Sequence, residues 1–207
     1  MPTPAPKAIM EKPRISIKMH RPSVNELMFF LLSGAIVSVP LTLFIDQYLA
    51  GPLLTGLPSM DIGVISVAVV APFVEEFSKI FPLGYRHGET QRSIFLLAIC
   101  VGLGFGIVEF ITYVATFGPQ IVPARIPGLF FHPASTSITA YGIATKRPLP
   151  FYLVAVGLHF ANNFFAVFGP AFAPSSVIVL AITLLASWHL HSRTKEVFIQ
   201  NDDVFSC

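Results

Sequence analysis

An all-α polytopic membrane bundle of about six helices, with both termini in the cytoplasm, is predicted by three observations. Hydrophobic residues make up 54% of the 207 residues and charged residues only 12%. That is roughly half the charged share, about 25%, of a soluble domain. Mean hydropathy is +0.71. The apolar residues collect into stretches near the roughly 20 residues that a membrane helix requires. The basic residues fall almost entirely on alternate sides of those stretches.

Residues 1–22 form a Pro-rich basic lead with no apolar run. The first span, Val24–Ala50, is too long for a signal-peptide core and is expected to be retained. Met60–Leu83, Ile94–Ala115, Gly128–Ala144, Phe151–Phe168 and Ala171–Leu190 follow as spans. The transmembrane domain thus covers 23–191, and 192–207 is a short polar tail. Gly102, Gly104 and Gly106 in the third span are placed to let a neighbouring backbone approach closely. With the N-terminus inside, Lys7, Lys12, Arg14, Lys18, Arg21, Lys79, Arg86, Arg92, Lys146, Arg147, Arg193 and Lys195 all lie on the cytoplasmic side, and only Arg125 lies outside. This is the positive-inside pattern, and it requires an even number of spans.

The balance of 13 basic and 11 acidic residues excludes phosphate-driven nucleic-acid binding. Two cysteines, Cys100 and Cys207, make no framework of disulfides or thiolate ligands. Function must therefore reside in the few polar residues within the spans.

Glu75, Glu76 and Lys79 lie in the second span, Glu109 in the third, His132 in the fourth, and His159 and Asn163 in the fifth. A charged residue at mid-membrane costs about 2.5–3.5 kcal/mol on insertion scales, so these groups must be paired, protonated, metal-bound or wet. Helical spacing places Glu75 and Lys79 on one face, where they can pair. Glu109, Thr112 and Tyr113 form one polar stripe; His132, Ser135, Thr136 and Thr139 form another; His159 and Asn163 share a third face. Two carboxylates brought together in a low dielectric cannot both ionise cheaply, which suits one of them to general-base work on water. Imidazoles and a carboxylate match the donor set of hydrolytic zinc sites. A histidine and an amide equally suit stabilisation of an oxyanion without metal. Either route leads to hydrolysis of a carbonyl compound, and within a membrane that means a peptide bond.

These segments resemble the PrsW family of intramembrane proteases, in the wider group of the CAAX prenyl proteases and Abi proteins. The family pattern is Glu-Glu-x-x-Lys, Phe-x-x-x-Glu, a lone His and His-x-x-x-Asn. Here it reads Glu75 to Lys79, Phe105 to Glu109, His132, and His159 to Asn163, in family order. The prenyl-protease branch is less similar, having His where this chain has Glu109. The resemblance implies that Glu75 activates water and that Glu109, His132 and His159 hold that water or a metal such as zinc. It implies that Glu76 assists and that Asn163 orients His159 or stabilises the oxyanion. Family members are treated as metallo- or glutamate-type proteases, so it leaves open whether zinc is used or no cofactor at all. It also implies a membrane-anchored protein substrate, such as an anti-sigma factor, and residence in the plasma membrane of a prokaryote.

Structural readings stand beside these. Glu75 with Lys79 would be an ion pair near the cytoplasmic end, Glu109 a protonated acid bonded to a neighbour, and His159 with Asn163 a clasp between helices. His132 would be an interfacial histidine. His20, His87, His189 and His191 lie in or beside flanking segments and are expected to be solvated. A proton- or cation-coupled transporter is the alternative function, since such relays also use carboxylates and histidines; the absence of repeated halves counts against it. A non-catalytic scaffold is the third reading. Depth is in tension with a single site. Glu109 and His132 lie about 9 and 6 Å from the outer ends of their spans, whereas Glu75 lies about 22 Å from its own.

Overall fold

The computed structural model describes residues 21–85, 90–167 and 169–196. The basic lead through His20, the residues Arg86 and His87, and most of the polar tail lie outside the described residues. Six helices make up the described fold. They are α1 (Val24–Leu54), α2 (59–80), α3 (Gln91–Phe117), α4 (Val122–Ala144), α5 (Pro148–Val167) and α6 (Ala173–Arg193). A 3₁₀ turn, Phe81–Tyr85, closes α2.

Local chemistry sets the ends. Ser23 and Glu26 form a capping box at α1: the Ser23 Oγ accepts from the Glu26 N–H at 3.3 Å, and Glu26 Oε2 accepts from the Ser23 N–H at 2.7 Å. Thr90 Oγ1 caps α3 by accepting from the Ser93 N–H at 3.1 Å. Gly118, at φ +83°, ends α3 in a conformation that side chains rarely adopt.

Prolines shape α1 and α2 without breaking them. Pro40, Pro52 and Pro72 each follow a π-helical stretch, Gly34–Ser38, Asp46–Ala50 and Ile65–Val70 respectively. A proline ring clashes with the carbonyl four residues earlier. Those carbonyls, of Ile36, Tyr48 and Ala68, lie inside the three stretches. The widened turn makes room for the ring, and the chain continues as helix.

Helix α4 lies at the centre, packed on α3, α5, α6 and α2. Its long buried run extends from Phe131 to Ala144. A helix shielded by its neighbours is free to carry His, Ser and Thr, which explains why α4 is among the least apolar. The sequence-based start at Gly128 is too late, because Pro123 sits in the first turn and the helix runs through Pro127 and Pro133. Backbones touch where α3 carries glycine. A Cβ on Gly104 would run into the Leu31 carbonyl, and one on Gly102 would lie 2.7 Å from Pro133 Cα. Phe30, Leu97, Ala98, Val101, Ala140 and Ala144 form the core between α1, α3 and α4.

The outer surface is apolar. Leu43, Phe44, Ile111, Phe130, Leu153, Ile178, Leu185 and Trp188 are all exposed. A continuous apolar exterior is a lipid-facing one, and the protein is an integral membrane protein. Four helices, α1, α3, α5 and α6, are long and apolar enough to cross a bilayer. Helices α2 and α4 are of similar length but carry the polar residues of the next section.

Candidate active site

Helix α2 contributes Glu75, Glu76 and Lys79; α3 contributes Glu109; α4 contributes His132 and Ser135; α5 contributes His159 and Asn163. At their centre is Lys79, fully buried with Glu76. Its Nζ donates to Glu76 Oε1 at 2.6 Å, to His132 Nδ1 at 3.1 Å and to Ser135 Oγ at 3.4 Å. The pairing of Lys79 with Glu75 that the spacing allows is not the one formed. Glu76, one residue closer to Lys79 and on the buried side of α2, takes the ammonium, and Glu75 faces away toward α5. Ser135 Oγ also donates to Glu76 Oε1 at 3.0 Å. These bonds satisfy a buried charge that would otherwise be expensive.

The two histidines are held in opposite tautomers. An ammonium has only hydrogens to give, so His132 Nδ1 accepts from Lys79 and its proton sits on Nε2, which meets Glu109 Oε2. His159 Nδ1 donates to Glu76 Oε1 at 2.8 Å. In the neutral ring its Nε2 then carries a lone pair. That nitrogen lies 3.7 Å from Glu75 Oε2, and Glu75 Oε2 is buried with no hydrogen-bond partner. The gap is too long for a direct hydrogen bond and wide enough for one bridging atom. The His132 and His159 rings meet edge to face at 5.5 Å, walled by Phe105 and Phe131.

Glu75, His132 and His159 each offer one ligand atom, all within 4.8 Å of one another. Two imidazoles and a carboxylate fit a zinc ion in type and spacing. Glu75 and His159 present free lone pairs, and the His159 Nδ1 bond to a carboxylate is the usual outer support of a metal-binding histidine. His132 Nε2 carries the proton facing Glu109 and would have to give it up to serve as the third ligand. The resemblance implies Glu109, His132 and His159 as the ligands; the donor atoms that lie together are those of Glu75, His132 and His159, and Glu109 meets the group through His132.

Asn163 makes no hydrogen bond to His159 among the described residues. Its Nδ2 donates to the Val67 carbonyl at 3.0 Å, within the π-helical stretch that precedes Pro72. Thr112 Oγ1 bonds the Val108 carbonyl at 2.9 Å. Thr139 Oγ1 is buried without a partner. His189 is exposed, as expected, whereas His191 packs on Phe95 at 5.3 Å.

A cavity of about 380 Å³ leads from Glu75 and Glu109 to the end of the bundle where α1, α3 and α5 finish and α2 and α4 begin. Glu109 lies eight residues from Phe117 and His132 ten from Val122, or about 12 and 15 Å along their axes. With α4 beginning at Val122, His132 lies well inside the helix and is buried. The surplus length of α2 lies on the cavity side. Asp46, Tyr113 and Arg125 also line the cavity, and the sequence reading did not assign them to the site. A charge inside the apolar run of the first span was the available signal for Asp46.

A model of the PrsW family of intramembrane metalloproteases matches residues 22–188. No curated protein and no solved structure matches the chain.

Proposed function

The chain belongs to the PrsW family of intramembrane metalloproteases, and on that premise we propose that it cleaves membrane-anchored proteins with a water activated at Glu75. The observation that carries this reading is convergence. Groups from α2, α4 and α5, each costly alone in lipid, meet within 4.8 Å at the inner end of a cavity. Water seated between Glu75 Oε2 and His159 Nε2 gives its proton to the carboxylate, and its oxygen attacks the scissile carbonyl carbon. Glu75 then passes the proton to the leaving amine. Glu76 fixes the ring of His159, and Glu109 with His132 closes the side facing α3. Asn163 acts by fixing the cavity wall at Val67. A divalent ion held by Glu75, His132 and His159 would polarise the carbonyl and acidify the water.

All six helices cross the bilayer in this reading, α2 and α4 included, because the neighbours of α4 shield its polar face. The positive-inside distribution then places both termini in the cytoplasm and the cavity in the outer half of the membrane. Substrates are presented as segments that unwind near the outer surface.

The test uses purified full-length protein in lipid nanodiscs with a panel of membrane-anchored reporters. The wild type cleaves. Glu75→Gln loses cleavage while keeping the wild-type thermal unfolding. A folded wild type that cuts nothing across the panel ends the protease mechanism for this site.

A further inference from the structure

The cavity holds one cation. Arg125 lies over the Tyr113 ring, 3.3 Å from its centroid, and makes no ion pair among the described residues. Apart from Lys79, which is buried at the site, every other basic residue falls on the far side of the predicted spans. Its position is electrostatically odd. It lies in the first turns of α4, the positive end of the helix dipole, and no acidic residue occupies that turn. The nearest acidic influence on Arg125 is Glu109, which His132 already engages, so a cation held there with no ion pair of its own keeps its donors for an anion. Stacking on Tyr113 immobilises the guanidinium plane, so its in-plane N–H groups keep a fixed fork geometry.

The other charges facing the cavity are Asp46, Glu75 and Glu109. Glu109 is engaged by His132, and Glu75 faces His159. Asp46 stands on α1 with its Oδ1 unpartnered. An incoming carboxylate is therefore turned from the α1 wall and received at α4. The remaining lining is mostly aliphatic, with Ala50, Val67, Val70 and Ala166, and adds the polar Ser66 and Asn163.

We propose that Arg125 is a substrate-recognition residue that binds a carboxylate of the substrate near the scissile bond. Resting on the protease reading, this narrows the substrate class to segments of small aliphatic residues with an acidic group toward the outer surface. The carboxylate comes from an Asp or Glu side chain or from a free chain terminus.

The experiment uses anchored reporters with amidated ends that carry Glu, Gln or Lys at successive positions around the cut. A parallel set has no acidic side chain and a free terminal carboxylate. At one position the wild type prefers Glu over Gln in kcat/KM by about ten- to a hundredfold. In Arg125→Gln that ratio falls to near one, and in Arg125→Glu the preference moves to Lys. Arg125→Lys keeps a reduced ratio and serves if the Gln variant fails to fold. Preference for the free-terminus set assigns the same recognition to a chain end. Binding of Glu and Gln peptides to Glu75→Gln protein is measured separately, so the preference is read even if no cleavage occurs. Wild-type cleavage without any Glu preference overturns the proposal and leaves the protease standing. An unchanged Glu-to-Gln ratio in Arg125→Gln also overturns it, since a structural role moves both rates together.

Discussion

The Nδ1 of His159 and the Oε1 of Glu76 meet at 2.8 Å, across the interface of α5 and α2. That carboxylate oxygen also takes the Lys79 ammonium, so one atom orients the ring and neutralises the buried charge. Its second oxygen has no partner, and the whole load falls on Oε1.

Glu76→Gln tests this double role. The amide keeps the shape but withdraws the charge from Lys79 and weakens the acceptor for His159. Turnover is expected to fall about 10–100-fold, the usual effect of removing the outer support of a site histidine. Stability should fall by about 3–5 kcal/mol, as for a broken buried ion pair. Thermal unfolding and cleavage are measured on one preparation. Adding Lys79→Met should restore much of the stability, because no unpaired ammonium is left, without restoring turnover. A double variant as unstable as the sum of the two singles contradicts the pairing.

The glycines of α3 separate packing from chemistry. Gly104 abuts the backbone of α1, whereas Gly102 abuts the backbone of His132 and Pro133. Gly104→Ala should destabilise by about 1–3 kcal/mol, the cost of overpacking. Gly102→Ala pushes on the site itself and should reduce cleavage more than its unfolding shift predicts. Equal activity losses per unit of lost stability in the two variants would show that the Gly102 contact does not position His132.

Much of this architecture is legible in the sequence because lipid demands long apolar stretches and penalises stray charge. The apolar runs place the helices within a few residues, and the polar residues inside them identify the site. What the sequence leaves open depends on tertiary facing. Spacing alone allows Lys79 to reach either Glu75 or Glu76, at i+4 or i+3, and burial decides for Glu76. Asn163 is four residues from His159 and shares its face, yet it turns to a carbonyl in a π-helical stretch. That stretch exists because Pro72 follows it, a coupling between two helices that no single-segment pattern reveals. Pro127 looks like a helix boundary and lies inside α4 instead. Arg125 reads only as the one basic residue outside until the fold places it in the cavity.

Asn163 distinguishes wall from oxyanion donor. Removing its amide in Asn163→Ala leaves the Val67 carbonyl without that bond, worth about 0.6 kcal/mol on average in membranes. As a wall residue it should lower turnover by about tenfold or less. An oxyanion donor would lower kcat by about 10²–10³. Asn163→Asp should be no better than alanine, because a carboxylate cannot donate to Val67. A kcat loss in the larger range with unchanged KM assigns the amide to the transition state and refutes the wall role.

Zinc content follows from the lone pairs. Within the trio of Glu75, His132 and His159, His159 Nε2 and Glu75 Oε2 make no hydrogen bond, so they form the minimal half of a metal site, with His132 completing it. Protein purified without chelator is expected to carry zinc close to stoichiometrically. His159→Ala should lose it, whereas Asn163→Ala, which changes no donor, should keep it. Glu109→Gln weakens the contact that occupies His132 Nε2 and should leave zinc bound while slowing cleavage. The metal is quantified by mass spectrometry on the purified proteins, apart from any activity measurement. Equally negligible zinc in the wild type and in His159→Ala removes the ion from the mechanism and leaves Glu75 to act on water alone.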